Sequence, residues 1–183
     1  MFNNLHLTAI KRKTASAIAK YLVKNNYINK QTHVFDYGCG YGKDVLYYRS
    51  KGIHTDGYDP HKPFGWHEMP DGKFYDVVTV IYVINVLPEE FLRKATLEVA
   101  AMQLRASGKL VVAARSISDI ESSKKKTWKE YGDGWITNNK PPHFQKGFTT
   151  EEIEEMVMSL HGFVTTKVLN IASHISCVVA ETF

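Results

Sequence analysis

The segment Val34-Phe35-Asp36-Tyr37-Gly38-Cys39-Gly40-Tyr41-Gly42-Lys43-Asp44 joins a short apolar run, an acid at its end and three glycines at alternate positions. Without a Cβ, glycine lets the backbone turn tightly and come close to a bound ligand. A second acid, Asp59, ends the next strand-like run at Gly57-Tyr58-Asp59-Pro60. A glycine turn between two such acids suits a nucleoside-bearing cofactor held across the first two strands of an α/β sheet.

Spacing then discriminates among cofactors. A dinucleotide fingerprint places glycines at its first, third and sixth positions. Here the sixth position is Lys43, and the third glycine arrives one residue early, at Gly42. Asp36 would repel a pyrophosphate and attract a cation or an amine. A phosphate-binding P-loop is excluded, because no Gly-Lys-Ser/Thr triplet occurs. S-adenosylmethionine (SAM), with an α-amino group, a sulfonium and no phosphate, meets these constraints. Cys39, between two of the glycines, reads as a small filler ahead of a reactive thiol.

The elements that must position this loop follow from hydrophobic periodicity. Strands are predicted over Thr32–Tyr37, Ile53–Tyr58, Asp76–Tyr82 and Lys109–Arg115, and helices over Ser16–Asn25, Lys43–Lys51 and from Pro88-Glu89-Glu90 to about Leu104. Val77 to Ile81 is apolar on both faces, as a buried parallel strand requires. Alternation of strand and helix argues for a mostly parallel sheet with right-handed crossovers. From Pro60 to Asp71 three prolines and no strand pattern occur, so the third strand of a complete doubly wound sheet is predicted to shrink to a loop or a poor edge strand. The long polar and aromatic stretch Ser116–Gly147 reads as a lid or substrate loop leaving the carboxyl end of the Lys109–Arg115 strand. Thr149 and Glu152 form a capping box for a helix to about His161. Phe163–Asn170 and Ile175–Glu181 close the chain as a hairpin that places one antiparallel strand in the sheet. The whole of 1–183 is expected to be one α/β domain, with 1–30 as an N-terminal helical segment and 116–147 as the lid.

Composition sets outer bounds. The chain has 183 residues, 44% hydrophobic and 23% charged, which is ordinary for a soluble globular domain. No apolar stretch approaches the roughly 20 residues that cross a bilayer, and Met1 to Thr14 is polar and basic without an apolar signal core. Cytoplasmic residence, no membrane, and a monomer or homodimer are the expectations. Two cysteines, Cys39 and Cys177, give no disulfide framework. His33, His54 and His67 have no metal-ligand spacing, so no metal is expected. A net charge of +4 permits an acidic partner without requiring one. The basic clusters Lys11-Arg12-Lys13 and Lys124-Lys125-Lys126 read as solvated turns or helix ends ahead of phosphate contacts.

The order of these motifs resembles the class I SAM-dependent methyltransferases, a Rossmann-like fold, over nearly the whole chain. The likeness is carried by Asp36-Tyr-Gly-Cys-Gly-Tyr-Gly42, Gly57-Tyr-Asp59, Tyr75-Asp-Val-Val-Thr-Val-Ile-Tyr82 and Gly108-Lys-Leu-Val-Val-Ala113. A narrower set is similar to the methyltransferases associated with bacterial DNA phosphorothioation systems: Leu7-Thr-Ala-Ile-Lys-Arg12, Phe35 to Val45, Gly57-Tyr-Asp-Pro60, Tyr82-Val-Ile-Asn-Val86, Gly134-Trp-Ile-Thr137 and Phe144-Gln-Lys146. The resemblance implies that the glycine turn packs under the methionine part of the cofactor, that Asp59 holds the ribose hydroxyls, and that residues after the Asp76–Tyr82 strand face the donor methyl. The cofactor set is then Asp36, Tyr37, Gly38, Cys39, Gly40, Gly42, Asp44, Tyr58, Asp59, Pro60 and Tyr82. Thr8 and Arg12 are candidates to fold over the cofactor's carboxylate, a solvated charge being the other reading of Arg12. The adenine-contacting acid of the family has no counterpart, which leaves Trp66, His67 and Met69 as candidates.

Methyl transfer from a sulfonium is an in-line displacement that depends mainly on alignment. Tyr82, Asn85 and His143 are the candidate catalytic residues. Asn85 either orients the acceptor or the cofactor amine, or serves as a turn residue. His143 and His61 are the nearest approach to a base, although each also reads as a surface histidine beside a proline. Trp135, Phe144, Gln145 and Lys146 are the substrate candidates. Trp135 would stack on a ring or anchor the lid, and Gln145 with Lys146 would clamp an anionic or amide-bearing acceptor or remain solvated. The Asn/Asp-Pro-Pro-aromatic cluster of exocyclic base-amine methylases is missing after Tyr82. A nucleic acid or nucleotide-like acceptor is placed slightly ahead of a small metabolite, and a non-catalytic SAM sensor is the alternative.

Overall fold

The computed structural model describes residues 5–72 and 74–183. Its core is a six-stranded sheet in the order β2-β1-β3-β4-β9-β8. β1 (His33–Tyr37), β2 (His54–Tyr58), β3 (Tyr75–Ile81) and β4 (Leu104–Arg115) run parallel, whereas β9 (Ile175–Thr182) is antiparallel to both β4 and β8 (Phe163–Val168). The helices between them are α1 (Ala17–Lys24), α2 (Lys43–Ser50), α3 (Glu90–Ala101), α4 (Ile117–Ser123) and α5 (Thr150–Met158). This is the mostly parallel α/β sheet with a closing antiparallel hairpin that the residue pattern predicts.

Strand periodicity builds three layers. Val34, Val77, Val111 and Ala113 point to one face, where Ile18, Ala19 and Leu22 of α1 and Tyr48 of α2 meet them. Phe35, Val78, Leu110 and Val112 point to the other, against Leu97 and Ala100 of α3 and Ile153 and Val157 of α5. Successive side chains of a strand leave on opposite faces, so one apolar run supplies both cores.

No strand lies between Tyr58 and Tyr75 among the described residues. A single 3-10 turn, Lys62–Phe64, stands there, so β2 is the outer edge of the sheet as the proline-rich sequence predicts. The capping box is present: the Thr149 hydroxyl accepts from the Glu152 N–H, and the Glu152 carboxylate accepts from the Thr149 N–H.

Two expectations need correction. The helix read from Pro88 to about Leu104 ends at Ala101, because Leu104 is drawn into β4 opposite Tyr75. The segment 116–147 is not an irregular loop. Ser116 caps α4 by accepting from the Asp119 N–H at 3.2 Å. A small antiparallel sheet follows, in the order β5 (Lys129–Tyr131), β6 (Gly134–Ile136), β7 (Phe144–Gln145). Its centre is the fully buried Phe144, packed so closely on Gly134 that a Cβ there would lie 2.5 Å from the ring. Buried Arg93 of α3 anchors it by an ion pair to Asp133 and by donating to the Leu87 carbonyl at 2.9 Å. The leading residues of the polar Met1–Thr14 stretch, positions 1–4, lie outside the described residues.

Candidate active site

The glycine turn after β1 is built by its backbone. The N–H groups of Gly38 and Cys39 donate to the Tyr58 carbonyl at 2.7 and 3.0 Å, which ties the turn to the end of β2. Gly38 has φ +79°, and a Cβ there would lie 2.4 Å from Cγ2 of Val83. Gly40 has φ +54°, and an added Cβ would meet only the Ala9 methyl, at 3.6 Å. Gly42 caps α2 at φ +68°, where a Cβ would lie 2.5 Å from the Trp66 indole. The three glycines thus serve three needs: contact with Val83, an open face, and contact with an indole.

Asp59 closes the turn from the other side. One carboxylate oxygen accepts from the Gly40 N–H at 2.9 Å and the other from the His61 N–H at 2.9 Å. A cavity of about 920 Å³ opens above, at the carboxyl ends of β1 to β4. Its walls include Tyr37, Gly38, Cys39, Gly40, Tyr58, Asp59 and Pro60, and Thr8 and Arg12 from the N-terminal segment. Tyr82, Asn85 and Gln145 line it as well. Twelve of the site residues named from sequence therefore share one cavity wall. Its volume lies within the range typical of small-molecule sites.

Asp36 and Asp44 sit beneath that wall rather than on it. Asp36 is 3% exposed and accepts from the Thr79 hydroxyl at 2.7 Å. Burial, reinforced by the nearby Asp44 carboxylate, raises its pKa from 3.8 to about 7. Asp44 accepts from the Ser16 N–H and from the Ser16 hydroxyl, both at 2.7 Å, and pairs with Arg12 at 3.3 Å. Its role is to dock the N-terminal segment on α2, a correction to its reading as a direct cofactor ligand. The same contact brings Arg12 to the cavity, where its Nη1 is buried with no partner. Gly42 is likewise covered, by Trp66. Burial pushes the Cys39 thiol up, in keeping with a filler.

Other sequence candidates are placed elsewhere. Lys146 directs its ammonium to Asp133 at 3.4 Å and Glu152 at 3.0 Å, in a network that fastens the small sheet to α5. Phe144 is the core of that sheet, and Trp135 carries Lys124 over its ring at 3.8 Å. None of the three lines the cavity. His143 is also off the wall, with Nδ1 3.4 Å from the Asn139 amide, and burial followed by the proximity of His6 lowers its pKa. Trp66 is spent on packing against Gly42 and Gly57 and under Arg49, and neither it nor His67 or Met69 reaches the cavity.

Several wall residues escaped the sequence reading, and His61, read there only as a possible base or a surface histidine, has aromatic neighbours that the sequence did not show. His61, Phe64 and Tyr41 form an aromatic cluster beside Asp59, with ring centroids 4.6 Å apart for His61 and Phe64 and 4.5 Å apart for Tyr41 and Phe64. His6 stacks on His61 at 3.8 Å. At the opposite end lie Arg115, Asp119 and His174. Arg115 pairs with Asp119 at 2.6 Å and donates to Gln145 Oε1 at 3.2 Å. The aromatic side chains of a short loop rich in prolines carried a weak signal, and the Arg115–Asp119 spacing of four on a helix start carried another.

Two features at the end of β3 are energetically costly. Tyr82 has φ +60°, in the left-handed region that bulky residues avoid. Asn85 is 3% exposed, yet its carboxamide makes no hydrogen bond and its Oδ1 is buried without a partner. Such costs concentrate where a ligand binds. Among the described residues no group of three or more His, Cys, Asp or Glu could hold a metal ion, and no helix is long and apolar enough to cross a membrane.

No family model matches the chain, and no curated protein matches it in sequence. Its fold, however, is similar to that of many solved structures. One is a SAM-bound amino pentose methyltransferase from Micromonospora echinaspora, with a TM-score of 0.66 at 12% identity over 100% of this chain and 98% of that one. The glycopeptide N-methyltransferase MtfA gives 0.65 at 12% identity over 96% and 95% of the two chains. The 1,6-didemethyltoxoflavin N1-methyltransferase of Burkholderia thailandensis, solved with its substrate and S-adenosylhomocysteine (SAH), gives 0.61 at 16% identity over 90% and 76%. The likeness establishes a Rossmann-like fold shared with SAM-dependent methyltransferases.

Proposed function

We propose that this chain is a SAM-dependent methyltransferase. The observation that carries the reading is the single cavity in which a glycine turn, the Asp59 carboxylate and the costly Tyr82–Asn85 corner meet at the carboxyl ends of the parallel strands. Ligands of open α/β sheets bind at that edge.

The residues present fit the cofactor. The Gly40 face that only a methyl group approaches gives the methionine part a flat bed. Arg12 Nη1, buried and unpartnered, suits the cofactor's carboxylate, since a guanidinium binds carboxylates as a fork. Each Asp59 oxygen keeps a lone pair beyond its backbone bond, enough to accept from the two ribose hydroxyls. His61, Phe64 and Tyr41 offer aromatic surface for adenine, in place of an acid. When bound, SAM would supply an activated methyl group, which leaves the protein to align the acceptor and exclude water.

Neighbours of this fold act on small molecules, among them an amino pentose and a didemethyltoxoflavin. The volume of the cavity, about 920 Å³, suits a small acceptor beside the cofactor. The narrower likeness to phosphorothioation-associated methyltransferases rests on sequence motifs and supplies no acceptor. Calorimetric titration with SAM and SAH tests the proposal: saturable binding with 1:1 stoichiometry is expected, and no binding at millimolar ligand would overturn it.

A further inference from the structure

We infer that the acceptor is a neutral nitrogen nucleophile, one N–H of which is held by Asn85, with Gln145 reading an acceptor atom beside it. The inference rests on the methyltransferase reading and deepens it.

The Asn85 carboxamide is the starting point. It is 97% shielded, lines the cavity, and forms no hydrogen bond with the protein. An amide oxygen buried without a partner carries a desolvation penalty that a leucine of the same shape would not. Its backbone is nonetheless held firmly, since the Asn85 carbonyl accepts from the Lys146 N–H at 2.9 Å. The backbone is therefore held in place while the carboxamide oxygen stays unused. A carboxamide can turn end for end with little change of shape, so either end can be presented.

Gln145 lies one residue from that backbone contact and shares the cavity. Its Oε1 already accepts from Arg115 at 3.2 Å, which leaves the NH₂ as its free end. The pair thus offers one acceptor, from Asn85, and one donor, from Gln145. The complementary ligand carries an N–H beside a ring nitrogen, as amino-substituted N-heterocycles do.

Charge at this end argues for a neutral nucleophile without a strong base. Arg115 and Asp119 neutralise each other at 2.6 Å, His174 is exposed, and burial raises the Tyr82 phenol, so its hydroxyl keeps its proton. An alcohol would have to lose its proton early, and among the described residues at Asn85 and Gln145 the one carboxylate, Asp119, is already paired with Arg115. A neutral nitrogen needs no such help. Its lone pair forms the new N–C bond as the methyl–sulfur bond breaks, and the sulfur keeps the bonding electron pair and becomes neutral. The nitrogen gains positive charge, which strengthens its N–H bond to Asn85, and the surplus proton then passes to water.

The test uses the full chain saturated with SAH and two matched probes, 2-aminopyridine and 2-(dimethylamino)pyridine, with phenol as the O–H control. Binding is read from the Asn and Gln side-chain amide resonances. The aminopyridine is expected to bind at least tenfold more tightly than its dimethyl analogue, and Asn85→Leu should bring the ratio close to one while leaving SAH affinity unchanged. Asn85→Leu should also raise the melting temperature of the ligand-free protein. Equal binding of the two pyridines, no binding of either, tightest binding of phenol, or a lowered melting temperature in Asn85→Leu would each overturn the inference. Failure of SAH itself to bind would instead strike the methyltransferase reading.

Discussion

Replacing Asp59 with alanine separates what this carboxylate does for the protein from what it does for the cofactor. In the folded chain it accepts two backbone N–H groups, from Gly40 and His61, each at 2.9 Å. Hydrogen bonds to a charged group contribute roughly 1.5–3 kcal/mol each. Asp59 is only half-buried, so solvent can replace part of what is lost. A net destabilisation of about 1–3 kcal/mol is expected, which in a domain of this size corresponds to a fall in melting temperature of roughly 3–10 °C. The ribose contacts proposed for it would add a separate loss on binding, about 1–3 kcal/mol, or roughly a 5- to 150-fold weaker Kd for SAM and SAH. Calorimetry with adenine and adenosine distinguishes the two roles. Adenosine carries the ribose and should lose affinity in the variant, whereas adenine should bind equally to both proteins. A variant that melts lower but binds SAH and adenosine as the parent does would show that Asp59 only shapes the turn. An unchanged melting temperature would refute the structural half of the reasoning.

Three further outcomes are expected. Asp36 has a folded-state pKa near 7 against an ordinary value of 3.8, so the folded chain holds a proton that the unfolded chain has lost between those values; its contribution to stability declines as pH rises from about 4 to about 7 and then levels off. The melting temperature of Asp36→Asn minus that of the parent should accordingly grow more positive between pH 5 and pH 8 in differential scanning fluorimetry, and a difference independent of pH would contradict the assignment. Gly38→Ala places a Cβ 2.4 Å from Val83 Cγ2 at φ +79°; denaturant unfolding should show a loss of about 2 kcal/mol or more, and adding Val83→Ala should restore only part of it, because the backbone strain of roughly 1–2 kcal/mol remains. Ser16→Ala removes both the cap of α1 and the hydroxyl that Asp44 accepts at 2.7 Å; a destabilisation of about 2–4 kcal/mol is expected by urea titration, and full retention of stability would argue that the N-terminal segment is not held through Asp44.

Much of the scaffold was legible in the sequence because its signals are local. The alternation Val77-Val78, the Thr149–Glu152 box and the prolines after Asp59 each act within a few residues, and each has its expected consequence in the fold. The glycine turn with Asp59 was legible for the same reason. What escaped depends on contacts between distant parts of the chain. The three short strands of the 116–147 segment are held by Arg93, 40 residues from its partner Asp133. The same long-range pairing removes Lys146 from the cavity, although its sequence context suggested a clamp. Gly42 was read as a cofactor glycine, but what it accommodates is the Trp66 ring, a neighbour 24 positions away that no spacing rule reveals. Asn85 was read as turn or site; it lies in a 3-10 turn, and that its Oδ1 is buried there without a partner is a property of the folded chain that no spacing rule reveals.

The edge position of β2 has a practical meaning for redesign. Along His54–Tyr58 the backbone is paired on one side only, and in its neighbourhood an indole covers the glycine turn. A designer could graft an additional strand after Asp71 so that it docks on this vacant margin. Such an extension would leave both apolar layers intact while deepening the wall next to His61 and Phe64, and would allow the chain to be tuned for bulkier analogues of the proposed cofactor.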